Sequence, residues 1–188
     1  MLIAPSRLLT AWGRPAPATR RVLVVNGHPD PRPERYCAAL CEAYANGARS
    51  VGHRIRSLQV GNLPLSTEAI EFAVALEQLL WSDQIFVAFP IWFSGPPPAV
   101  SRLFEAFARE EKAIFKESPD PPAQDRGADL VITATMPSLL YRSSDSLSAT
   151  LPGTRPSAPT IIGSIDTISN DDRNDWLDQM KRLGARIS

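Results

Sequence analysis

The chain has 188 residues, 44% of them hydrophobic, which suffices for one well-buried domain and is short for two. Twenty basic residues balance twenty acidic ones, so nothing in the charge favours nucleic acid or an anionic membrane as partner. No apolar run is long enough to span a bilayer, so no membrane insertion is expected.

Residues 1–20 carry Arg7, Arg14 and Arg20 but no Asp or Glu, and Pro5, Pro15 and Pro17 argue against a signal helix there. A disordered N-terminal extension is expected over 1–20, with the ordered domain over 21–188. Val22-Leu23-Val24-Val25-Asn26 is a short unbroken apolar run, as in a strand buried on both faces. Gly27 to Pro33 is punctuated by proline and glycine and reads as a loop. Leu40, Ala43, Tyr44 and Ala48 share a stripe, which predicts a helix over 34–51 ended by Gly52. Cys37 and Cys41 lie four apart on that helix, on one face, and read as two small buried hydrophobes. No Cys/His spacing suits zinc, and unpaired thiols fit a reducing cytoplasm.

Strands are then predicted over 54–58, 84–89, 129–134 and 160–165, and helices over 68–80, 99–109 and 170–183. Residues 116–127 read as a polar connector and 135–159 as irregular. Strands alternating with helices imply a parallel sheet covered on both faces. In such a sheet ligands bind beyond the carboxyl ends of the strands, where the strand order reverses. Loops 27–36, 90–98 and 134–142 leave such ends and should share one crevice. The first offers His28, Arg32, Arg35 and free helix amides, a natural phosphate cradle, but neither a Walker A loop nor a GxGxxG fingerprint. The second offers the adjacent aromatics Trp92 and Phe93 as a flat wall, with Gly95 permitting close backbone approach. The third exposes backbone amides at small residues and brings Tyr141 as a proton donor or ring-edge contact.

Three segments, Val24 to Pro31, Phe89 to Gly95 and Met136 to Arg142, resemble the signature loops of the NAD(P)H dehydrogenase (quinone) family, relatives of DT-diaphorase and of reductases associated with potassium efflux. Gly153-Thr154-Arg155-Pro156 and Ile161 to Asp166 also resemble the tail of that pattern. The resemblance covers roughly 21–183. It implies a three-layer flavodoxin-like α/β fold with a five-stranded parallel sheet of order 2-1-3-4-5. It further implies a bound flavin (FAD or FMN), NAD(P)H as co-substrate, a quinone or similar small molecule as electron acceptor, and a homodimer. By match of position, His28, Glu34 and Arg35 would face the flavin phosphate, and Ile91, Trp92, Phe93 and Ser94 would line the ring. Thr133, Ala134, Thr135 and Met136 would offer amides to its pyrimidine edge. Tyr141 would sit near the C2 carbonyl as the catalytic residue, where amides and a phenol stabilise developing negative charge.

Three departures from the family pattern lie near this crevice. Pro33 stands where the family usually has a serine, so the first loop loses two donors for phosphate. The stretch from Ser143 to Pro152 is shorter than in the family and lacks its histidine. Pro159 enters the approach to the fifth strand, where proline would interrupt a central ladder. The readings are therefore a flavin-dependent NAD(P)H oxidoreductase; alternatively, a catalytically weakened flavodoxin-fold regulator of another protein such as an ion-efflux system; or a module binding another planar ligand.

Overall fold

A computed structural model of the chain describes residues 18–91, 95–117, 126–141, 151 and 154–187. Most of the N-terminal extension expected over 1–20 lies outside these. The elements follow the predicted alternation: β1 (Arg21–Asn26), α1 (Tyr36–Ser50), β2 (Arg54–Gln59), α2 (Ile70–Trp81), β3 (Gln84–Ile91), α3 (Pro98–Glu117), β4 (Gly127–Ala134), β5 (Arg155–Pro156), β6 (Thr160–Ile162) and α4 (Asn170–Gly184). All pairings are parallel, in the order β2-β1-β3-β4-β5, with β6 also on β4. The flavodoxin-like order expected from the resemblance is thus the observed one.

Alternation along the strands sends side chains to two separate cores. Leu23, Val25, Ile85, Val87 and Phe89 pack under α2 and α3 with Phe72, Leu79, Phe104 and Phe107. Val22, Val24, Phe86 and Ala88 pack under α1 and α4 with Leu40, Tyr44 and Met180. Because β1 and β3 are buried on both faces, they read as continuous apolar runs in the sequence. Tyr44 stacks on Phe86 with ring centroids 4.1 Å apart, and its hydroxyl donates to Asp129 Oδ2 at 2.8 Å. Cys37 and Cys41 are both buried, and burial pushes the Cys37 thiol up to about 11.

Several boundaries differ from the sequence expectation. α1 begins two residues late because Arg35 N donates to Arg32 O and closes a turn after Pro33. It ends as expected: Gly52, at φ +91°, donates its N–H to Arg49 O, and His53 N donates to Ala48 O. α3 runs on through Glu117, well past 109. The helix takes in residues 110–115 and the first two residues of the expected connector, and Glu111 within it lies 2.6 Å from Arg126, both side chains nearly buried. Within 135–159 there is a 3₁₀ turn over Ser138–Tyr141 and the short strand β5.

The fifth strand is two short segments, β5 and β6, whose pairing offsets to β4 differ by one residue. That is a bulge, and Pro159 sits in it. The interruption foreseen at Pro159 is present, but on an edge. β5 and β6 pair with β4 alone, and Ser157 N still donates to Ala128 O at 2.8 Å.

Asp83, in the turn between α2 and β3, accepts from Arg21 N at 2.9 Å and from Arg21 Nη2 at 2.6 Å. The Arg21 hydrogen bonds hold its carboxyl below the ordinary value despite partial burial. The unfolded chain therefore binds this proton more readily than the folded one. The stabilisation is complete above about pH 4 and is lost as pH falls through the folded-state value. Asp83→Asn is expected to flatten the acid side of the stability–pH curve. Urea melts of both proteins below pH 4 check this, and parallel curves would contradict it.

Candidate functional site

At the carboxyl ends of the strands a cavity of about 310 Å³ opens where the sheet order reverses between β1 and β3. Its wall is shared by His28 and Arg35 after β1, Ile91 at the end of β3, and Thr133 and Thr135 at the end of β4. Residues at the start of each of the three expected loops thus meet at one cavity. A fourth segment joins them: Ile165 and Asp166 from the β6–α4 connection, and Arg173 from α4 itself.

The first loop is built by local hydrogen bonds. Asn26 is buried, and its Oδ1 accepts from His28 N at 3.0 Å, while Gly27 N donates to Ala88 O at 2.8 Å. His28 Nδ1 lies 3.0 Å from both the backbone N and the backbone O of Asp30, so the Asp30 main chain fixes the ring's orientation. Burial, together with the Arg35 charge, pushes His28 below its ordinary value and outweighs Asp30, so the ring is neutral at pH 7. Asp30 accepts from both Arg32 and Arg35.

Tyr36 of α1 and Arg173 of α4 also line the cavity and touch each other. Tyr36 Oη donates to Arg173 O at 2.9 Å. The guanidinium lies 5.1 Å from the Tyr36 ring centroid, and its Nη2 donates to Ile165 O at 2.8 Å. Burial pushes the Tyr36 phenol up to about 12, so it stays a donor at any ordinary pH. Cys37 and Thr133 line the cavity as well, with Cys37 Sγ 3.6 Å from Thr133 Oγ1. The β6–α4 connection is held against the end of β4 by Ile165 N donating to Ala134 O and Ser164 N donating to Met136 O.

Of the residues singled out in the sequence, His28, Glu34, Arg35, Ile91, Thr133 and Thr135 line this one cavity. Ala134 is buried in β4, and the Met136 side chain is exposed. Tyr141 lies in the 3₁₀ turn and packs against the core under α2 and α3, not among the residues lining the cavity. Trp92, Phe93 and Ser94 lie outside the described residues, as does all of the shortened stretch 143–152 except Leu151. Sequence reasoning missed Tyr36, Asp166 and Arg173. Arg173 sits among polar residues of a terminal helix, and only the approach of α4 to α1 turns it into a site residue.

Residues 20–155 match the family described as Flavodoxin-like fold. The chain belongs to that family. Its structure is similar to Smu.1420 from Streptococcus mutans UA159, with TM-score 0.66 and 18% identity over 89% of this chain and 100% of that one. It is also similar to an NAD(P)H:quinone oxidoreductase from Methanothermobacter marburgensis (TM-score 0.65, 14% identity, 89% and 96% covered). A third similar structure is an azoreductase from Bacillus anthracis str. Sterne (TM-score 0.65, 15% identity, 90% and 100% covered). No curated protein sequence matches the chain. No helix among the described residues is long and apolar enough to cross a membrane.

Proposed function

We propose that the chain is a flavin-dependent NAD(P)H oxidoreductase acting on quinones or similar acceptors. The observation that carries this reading is the shared cavity at the point of strand-order reversal, lined by Arg35 and Arg173 together with strand-end residues. Two of the most similar structures bear names of quinone and azo reductases.

The residues present fit a flavin. A volume of about 310 Å³ lies within the range of small-molecule sites. Arg35 and Arg173 stand where a phosphate would reach the start of α1, whose first turn has no capping side chain. Ile91 and Pro90 offer an apolar surface to a ring, and Thr133 and Thr135 offer hydroxyls and amides to its polar edge. A bound flavin would supply two-electron transfer between the nicotinamide and the acceptor. His28, its pKa lowered by burial, would present an uncharged ring at the cavity wall at pH 7. Tyr36 would hold the guanidinium of Arg173 in place through its ring and hydroxyl. Tyr141 as the catalytic phenol would need its 3₁₀ turn to swing toward the cavity.

The test is a visible spectrum of the full chain purified with FMN or FAD, before and after NADPH. A yellow protein that bleaches is expected; a colourless protein whose melting point neither flavin moves would sink the reading. Assembly as a homodimer in the cytoplasm is part of the same proposal, and sedimentation of the purified chain checks the dimer.

The regulatory reading draws on Pro33, which withdraws a donor from the first loop, and on the carboxylate that already occupies the loop's arginines. It predicts flavin binding without appreciable NADPH–quinone turnover, and normal turnover would remove it.

A further inference from the structure

The arginines of the first loop are not idle donors awaiting a ligand. Arg32 Nε and Nη2 donate to Asp30 Oδ2 at 2.9 and 2.6 Å, and Arg35 Nε and Nη2 donate to the same oxygen, the first at 2.7 Å. Asp30 Oδ1 takes the Arg32 backbone N–H at 3.2 Å and Arg32 Nε at 3.0 Å. Four N–H groups thus converge on one carboxylate oxygen, which has only two lone pairs. The donor geometry is richer than a carboxylate can satisfy and suits an anion with three oxygens and a second charge. The Asx turn closed by Arg32 N, between Pro31 and Pro33, holds the carboxylate at that spot. Arg35 lines the cavity while Asp30 does not, so the carboxylate draws the Arg35 donors away from the space a ligand would enter.

We propose that Asp30 is a built-in competitor for the anionic group of the ligand: the phosphate enters by displacing the Asp30 carboxylate from Arg35 and Arg32. This rests on reading the cavity as the site of a phosphate-bearing flavin. Neighbouring charges support an exchange rather than a simple capture. Glu34 and Asp166 also line the cavity, with Arg35 and Arg173, so the wall carries as many carboxylates as guanidiniums. Asp30 is held far below the ordinary carboxylate range by its two arginines, so no ordinary change of pH releases it, and the ligand must do so. The Arg32 side chain is 66% exposed, so the ion pair is screened by salt and opens at little cost. An organising role for Asp30 would predict the opposite sign on its removal. The converging donors decide between the two, since every N–H spent on Asp30 is one withheld from the ligand.

The experiment compares the full chain with Asp30→Asn and Asp30→Ala, using three probes: inorganic phosphate, FMN, and riboflavin, which has the same ring without the phosphate. Phosphate is followed through the Nε–H resonances of Arg32 and Arg35, and the flavins by fluorescence quenching. Both variants are expected to bind phosphate and FMN about tenfold more tightly, with a steeper loss of affinity in salt, and to bind riboflavin as the parent does. Circular dichroism melts establish that both variants fold, and two substitutions keep the test open if one does not. Equal or weaker phosphate binding in the folded variants would overturn the exchange. If no protein binds FMN or riboflavin yet phosphate binding still rises tenfold, the flavin reading fails and the exchange stands.

Discussion

Gly47→Val destabilises the chain by more than about 3 kcal/mol, near the upper end of what overpacking costs. A Cβ at position 47 would lie 1.9 Å from Lys181 O and 2.8 Å from Lys181 C, so backbone of α4 fills the space. The contact is reciprocal, since a Cβ at Gly184 would lie 2.2 Å from Tyr44 O. No rotamer relieves either contact, because both obstacles are main chain. α1 and α4 would have to separate, and they enclose a core in which Leu40, Tyr44 and Met180 are fully buried. The separation would reach the site. α4 carries Arg173 and α1 carries Tyr36, and the hydrogen bond between them spans the two helices. Urea unfolding of the variant should show a much lower midpoint with little change in slope. A loss under about 0.5 kcal/mol would mean that the two helices are not packed this closely.

Arg173→Ala is expected to weaken FMN binding by about 10- to 100-fold, the range for loss of one charged hydrogen bond to a ligand phosphate. Among the described residues Arg173 has no carboxylate within ion-pairing distance, in contrast to Arg35. One of its N–H groups is spent on Ile165 O, and stacking on Tyr36 fixes the guanidinium plane, which leaves further donors for an anion. Arg173→Lys should restore part of the affinity, because a point charge replaces a planar fork that stacks. Titration calorimetry with FMN and with riboflavin separates a phosphate contact from a general loss of the site. Equal weakening of both flavins, or of neither, would remove Arg173 from the phosphate-binding role.

The boundary of what a one-dimensional reading reaches is visible in particular residues. β1 and β3 were legible because strands buried on both faces must be apolar throughout, and Val22 to Val25 and Ile85 to Phe89 are. His28, Arg35, Ile91 and Thr133 were legible because a parallel sheet puts its strand ends on one rim, so residues just after the strands meet there. The extension of α3 was hidden, because the charged residues after 109 break the apolar stripe, and only the fold sets Glu111 beside Arg126.

The order of strands and helices, the two-sided core and the rim on which a ligand would sit were all determined by the chain's pattern of apolar runs and proline-glycine punctuation. Those are local signals, and burial enforces them residue by residue. The tertiary structure alone decided that Arg173 faces the cavity, that Asp30 holds both arginines of the first loop, and that Tyr141 turns toward the core. Each of these depends on how closely one segment lies against another, as Gly47 does against the backbone of Lys181. No periodicity in the chain encodes that separation.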